Sequence, residues 1–116
     1  MSPVRTLLRA ALRHVETGLE LDLATNGRNE IGRKDPQEVR NLDLDLSSLD
    51  PERNISRQHA VIENTDEGWV LVEEKGSING TFLNQQQLRR GVRYPIQPGD
   101  KIRLATIDFE LIVEQR

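Results

Sequence analysis

The sequence contains no cysteine, which excludes disulfide bridges, thiolate metal sites and a cysteine nucleophile. It is almost as poor in rings. Aromatic residues make up 3% of the chain, with one Trp and one Tyr, so a core has to be aliphatic, built from Leu, Ile and Val. A basic excess is missing too: the net charge is −3 and the pI is near 5.4. With few stacking rings as well, both usual signatures of nucleic-acid binding are lacking. No apolar run approaches the ~20 residues needed to span a bilayer. The charges interleaved in the opening MSPVRTLLRAALRHV break up any signal-peptide core. With only His14 and His59 available, a transition-metal site has too few ligands. These absences predict a soluble, cytoplasmic domain with no cofactor, no nucleic-acid partner and no direct membrane insertion.

What the chain does have is short period-2 alternation punctuated by turn signals. Its 116 residues suit a single domain over 1–116, with residues 1–6 expected to be a flexible N-terminal segment. Residues 7–15 fit either a helical face (Leu8, Leu12, Val15) or a strand. The turn signal Glu16-Thr17-Gly18 and the alternation Leu19 to Leu23 that follow favour a hairpin. Further strands are expected at Asn29 to Arg33, Leu42 to Leu46, Gln58 to Glu63, Trp69 to Glu74, Thr81 to Leu83, Val92 to Ile96, Lys101 to Ala105 and Ile107 to Val113. Asp43 and Asp45 do not open an EF-hand loop, because the sixth and twelfth positions hold Ser48 and Asn54. Gln97-Pro98-Gly99-Asp100 reads as a type II turn. Many short strands with turns between them predict an all-β sandwich of two antiparallel sheets, with loops gathered at its ends.

Three loops hold polar residues that core packing does not explain: Gly32-Arg33, Ser56-Arg57-Gln58-His59 and Gly76-Ser77-Ile78-Asn79-Gly80-Thr81. Together with Asn84 and Gly99-Asp100 they occur in the order Gly-Arg, Ser-x-x-His, Asn-Gly-Thr with a later Asn, then Gly-Asp. This ordered set resembles the forkhead-associated (FHA) domain, a family of phosphothreonine-peptide-binding modules, over roughly residues 10–113. The resemblance implies that Arg33, Ser56 and Arg57 bind phosphate and that Asn79 binds the peptide backbone. Asn54 and Ile78 would then influence peptide specificity, with Gly32, His59, Gly80, Thr81 and Asn84 shaping the loops. The partner implied is a phosphothreonine-containing protein or peptide, the product of a Ser/Thr kinase, and the site would lie among binding loops at one end.

The chemistry suits that role. A phosphothreonine carries about −1.5 to −2 charges and three acceptor oxygens. Arg33 supplies a planar, permanently charged fork, and Ser56 a hydroxyl beside its own backbone N–H. Arg57 either adds a second cation or points into solvent. Charge-assisted bonds contribute about 1.5–3 kcal/mol each, so two or three supply most of a micromolar affinity of about −8 kcal/mol. Many family members place Thr or Ser where this chain has Ile78, and that departure keeps a second reading open: a phosphate-independent interaction or weak self-association module of the same fold. Arg89, Arg90 and Arg93 form a basic group near a turn, either solvated surface or an attraction for an acidic partner. Trp69 reads as a packed strand residue rather than a ligand platform. Ser56, His59 and Asp100 contain the residue types of a hydrolase triad, but there is no G-x-S-x-G nucleophile elbow, and an enzyme is not expected.

Overall fold

The computed structural model describes residues 8–37 and 41–115; the N-terminal segment expected at 1–6 lies outside the described residues. Among the described residues, eleven strands form two packed sheets. They are β1 (Leu8–His14), β2 (Glu20–Leu23), β3 (Gly27–Gly32), β4 (Leu44–Asp45), β5 (Ala60–Thr65), β6 (Gly68–Glu73), β7 (Thr81–Leu83), β8 (Gln86–Gln87), β9 (Arg93–Ile96), β10 (Lys101–Leu104) and β11 (Ile107–Gln115). The six-stranded sheet has the order β2-β1-β11-β10-β7-β8, and the five-stranded sheet β4-β3-β5-β6-β9. All pairings are antiparallel except the short parallel contact of β4 with β3.

Alternation explains which faces meet. On β1, Ala10 and Leu12 point inward; on β6, Trp69 and Leu71; on β10, Ile102 and Leu104; on β11, Phe109 and Leu111. These side chains form one aliphatic core between the sheets, and Trp69 is packed into it. Residues 8–14 are strand, as the turn signal after them favoured. Gly18 reaches the left-handed region at φ +78°, and Leu12 pairs with Leu21 across the hairpin.

Three local readings need correction. The run Leu42 to Leu46 yields only β4, because its aspartates serve loop backbone instead of a wet strand face. Asp43 accepts the Glu30 N–H at 2.7 Å, Asp45 accepts those of Lys34 and Ser47, and Ser47–Leu49 forms a 3-10 turn. Strand β8, which carries no periodic signal, follows a tight turn in which Asn84 and Gln85 both have positive φ. Such a turn usually advertises itself with Gly, and this one does not. Finally, β5 begins at Ala60 rather than Gln58, leaving Ser56 to His59 in the loop before it.

The outer face of the six-stranded sheet is laced with ion pairs. Arg9 reaches Glu20 at 2.6 Å and Asp22 at 3.2 Å, Arg13 and Lys101 share Glu110 at 2.7 Å each, and Arg103 pairs with Asp108. Among the described residues, no helix is long and apolar enough to cross a membrane.

Candidate phosphopeptide-binding site

The register fixes which loops share an end. Ile31 pairs with Ala60 and Ala60 with Glu73, while Thr81 pairs with Leu104. The end of β3, the start of β5, the end of β6 and the start of β7 therefore lie at one pole. All three polar loops leave from it.

Hydrogen bonds then draw the loops together. The neighbouring carbonyls of Asn54 and Ile55 accept, respectively, Asn79 Nδ2 at 2.8 Å and Arg33 Nε at 3.0 Å. Arg33 and Asn79, 46 positions apart in the chain numbering, thus grip adjacent peptide units of one loop. Ser56 Oγ accepts the Ile78 backbone N–H at 3.0 Å, which leaves the hydroxyl proton available to a guest. Arg33 uses only Nε in this way. Among the described residues its two terminal amine groups meet no protein acceptor.

Behind this rim sits His59, fully buried. Its Nδ1 accepts the Ser56 backbone N–H at 3.1 Å, so Nε2 carries the ring proton and donates it to the Gly80 carbonyl at 2.8 Å. Burial holds its pKa below the ordinary 6.5, opposed by the hydrogen bond to Gly80 and the charges of Glu73 and Asp50. Both ring nitrogens serve backbone groups, so His59 does not contact Ser56 Oγ as a catalytic base would. Asp100 stands at the opposite pole, in the Gln97–Asp100 turn, where its N–H bonds Gln97 O at 3.0 Å. The residue types of a hydrolase triad are present without its geometry.

Gly32 is needed for close approach. A Cβ there would lie 2.0 Å from the Arg57 carbonyl oxygen and 2.7 Å from its carbon. Gly80 is needed for its conformation, at φ +87°. Ile78 stands on the rim, 78% exposed. Arg57 turns to Asp35, with Nη1 to Oδ2 at 3.1 Å. Asn54 Nδ2 bonds Glu52 at 3.3 Å. Asn84 does not join the site: it lies at the opposite pole, donating to Asp100 and accepting the Lys101 N–H at 2.9 Å.

Two buried carboxylates that the sequence reading passed over hold the loops from below. Asp50 accepts the N–H groups of Asn54 at 3.0 Å and Ile55 at 2.7 Å, which aims their carbonyls at Asn79 and Arg33. Glu73 receives the hydroxyls of Ser77 and Thr81, bracing the loop that carries Ile78 and Asn79. Glu73 follows Trp69 and Leu71 at the inward parity of β6, a signal visible in the sequence; Asp50 carries no such signal.

Comparison with known proteins agrees with the geometry. The model of the FHA domain family matches residues 29–105. This chain belongs to the FHA domain family. It is 34% identical over 112 residues to protein FraH of Nostoc sp., covering 93% of this chain and 38% of that protein. It is 36% identical over 72 residues to the E3 ubiquitin-protein ligase RNF8 of Rattus norvegicus, covering 53% of this chain and 15% of that protein. The chain therefore spans well under two thirds of either relative. A structure of Mycobacterium tuberculosis EmbR in complex with a low-affinity phosphopeptide superposes with a TM-score of 0.71 at 27% identity, covering 90% of this chain and 24% of that one. The FHA family consists of interaction modules, and this FHA domain has the sandwich of its relatives.

Two expectations follow from the geometry. Gly32→Ala drives a methyl group into the Ser56-Arg57 backbone and is expected to destabilise the domain by about 1–3 kcal/mol, read as a lower denaturation midpoint; an unchanged midpoint removes the close-approach argument. The second concerns His59. Its folded-state pKa lies below the unfolded 6.5, so as pH falls the unfolded chain takes up the proton first. The stability this group contributes is intact above about pH 6.5 and declines as pH drops below it. Imidazole nitrogen resonances should report the Nε2-protonated neutral ring at pH 6.5; a His59 that titrates at or above 6.5 contradicts the buried, two-bond arrangement.

Proposed function

We propose that this FHA domain is a phosphothreonine-dependent protein–protein interaction module. The observation that carries the reading is the adjacency of Arg33 and Asn79 on consecutive carbonyls, with the Ser56 hydroxyl beside them. An arginine with both terminal amines open and a hydroxyl with its proton to give are the donors that a doubly charged phosphate ester requires. Asn79 keeps its side-chain oxygen for a peptide N–H. Arg57 joins by exchanging Asp35 for phosphate, and Asn54 and Ile78 face the residues that follow the phosphothreonine. The preference for threonine as the phosphorylated residue comes from family membership. The phosphopeptide in the EmbR complex supports the same reading. A Ser/Thr kinase acting by phosphoryl transfer supplies the mark, and we place the encounter in the cytoplasm.

One observation favours a second reading. Ile78 presents an apolar side chain to solvent at the rim, where a hydroxyl would reach the phosphate. An FHA domain that associates with a protein surface or with itself through this residue needs no phosphate.

A titration separates the two. A phosphothreonine peptide is expected to bind while its unphosphorylated and Glu-substituted twins do not, since a carboxylate has fewer oxygens and about half the charge. Arg33→Ala should weaken binding about 10–150-fold, the loss of one charge-assisted contact, with the melting temperature little changed. Equal affinity for the three peptides, or dimerisation indifferent to Arg33→Ala, transfers the conclusion to the second reading.

A further inference from the structure

Most strand cations are paired: Arg9, Arg13, Arg28, Lys101 and Arg103 each reach a carboxylate, whereas among the described residues Arg93 on β9 reaches none. Among the described residues, Lys75, Arg89 and Arg90 reach none, and all three are exposed. Carboxylates are not scarce: the chain holds 19 Asp and Glu against 16 Lys and Arg. Lys34 and Arg53 form no ion pair either among the described residues, so what sets Lys75, Arg89 and Arg90 apart is where they stand.

Two crossovers between the sheets meet at the binding pole. Residues 74–80 pass from β6 to β7 and carry Lys75, Ile78 and Asn79; residues 88–92 pass back from β8 to β9 and carry Arg89 and Arg90. The second crossover is anchored to the ends of the first. Leu88 donates its N–H to Thr81 O at 2.9 Å, and Gly91 donates to Glu73 O at 2.8 Å. Buried Leu88 plugs into the core, and Tyr94 Oη accepts the Arg89 N–H at 3.1 Å. A Cβ on Gly91 would stand 3.8 Å from Lys75 Cε, so Lys75 of the first crossover lies against the second beside Arg90's chain neighbour. The backbone beneath the ridge is held by these bonds, and like charges on it act on a ligand over about one Debye length of 8–10 Å.

This ridge begins three residues from Ile78, whose N–H is bonded to Ser56 Oγ. Three residues span at most ~10 Å, a distance that three or four residues of an extended peptide bridge. We infer that Lys75, Arg89 and Arg90 form a second, anionic-side-chain subsite that receives acidic residues flanking the phosphothreonine of the same ligand. The subsite rests on the phosphothreonine reading and names a further property of the ligand: a phosphopeptide with a run of Asp or Glu to one side of its phosphorylated residue. Long-range charge at the rim speeds encounter and selects partners, while the Arg33 centre holds the phosphate.

The test uses this FHA domain and three phosphothreonine peptides: one with neutral flanks, one with three Glu placed N-terminal to the phosphothreonine, and one with them C-terminal. Fluorescence anisotropy at low salt should show one acidic peptide binding about 3–30-fold more tightly than the neutral one, in line with a few exposed ion pairs. Raising the salt concentration should shrink that advantage. Arg89→Gln combined with Arg90→Gln, and separately Lys75→Gln, should erase it while leaving the neutral peptide's Kd unchanged. The unchanged Kd also reports that the variants are folded. Equal affinity for all three peptides, or an advantage that survives the substitutions, overturns the subsite and leaves the phosphothreonine reading standing. Failure of every phosphopeptide to bind overturns both.

Discussion

The binding pole depends on one buried ring. His59 stands where the two sheets separate, taking the Ser56 N–H on the approach to β5 with one nitrogen and giving a proton to the Gly80 carbonyl at the entry to β7 with the other. Only a neutral imidazole in a single tautomer makes both bonds, and burial enforces that state. From this bridge the other contacts follow. With Ser56 and Gly80 fixed relative to each other, Ser56 Oγ meets the Ile78 N–H and the Asn54 carbonyl meets Asn79. Loops that would otherwise move independently become one surface, and a guest arriving there loses less of its binding energy to ordering the receptor.

Below the rim the same solution recurs with carboxylates. Asp50 collects two successive N–H groups, and Glu73 two hydroxyls from the returning loop. Each is buried and each is satisfied, since among the described residues no buried side-chain polar atom lacks a partner. A buried acceptor left unmet would cost roughly 1–3 kcal/mol, so these groups specify their loops: the conformation that satisfies them is the one that presents Arg33 and Asn79 together.

What was legible in the sequence divides along that line. Strands such as β6, β10 and β11 declare themselves because a sheet face buries alternate residues, and burial leaves a period of two in the chain. That Arg33, Ser56 and Asn79 meet at one pole was legible from the order in which Gly-Arg, Ser-x-x-His and Asn-Gly occur in the chain. The exchange of hydrogen bonds between loops was not legible, because it has no period. Nothing near Asp50 says that its carboxylate turns the Asn54 and Ile55 carbonyls outward. The need for Gly32 was apparent while its reason was not: the approach of the Arg57 carbonyl is a fact of three dimensions. The run Leu42 to Leu46 misled for the opposite cause. It has the period of a strand, but its aspartates are worth more as acceptors for loop N–H groups than as a wet face.

Ile78 brings the centre and the edge of the site into one account. Its backbone N–H orients the Ser56 hydroxyl, while its apolar side chain would offer a phosphate no hydrogen bond. A missing neutral hydrogen bond is worth about 1 kcal/mol, roughly fivefold in affinity. On the proposed reading Arg57 can offset part of such a deficit at the phosphate itself. More can be offset farther out, where charge acts over several ångströms and tolerates imprecise geometry. The crossover bearing Arg89 and Arg90 meets these conditions: its backbone is anchored on Thr81 and Glu73, the same residues that brace the Ile78 loop. On the proposed function, such a receptor would take its phosphate dependence from short contacts at Arg33 and its choice among phosphopeptides from charge along the rim, and the two could vary independently.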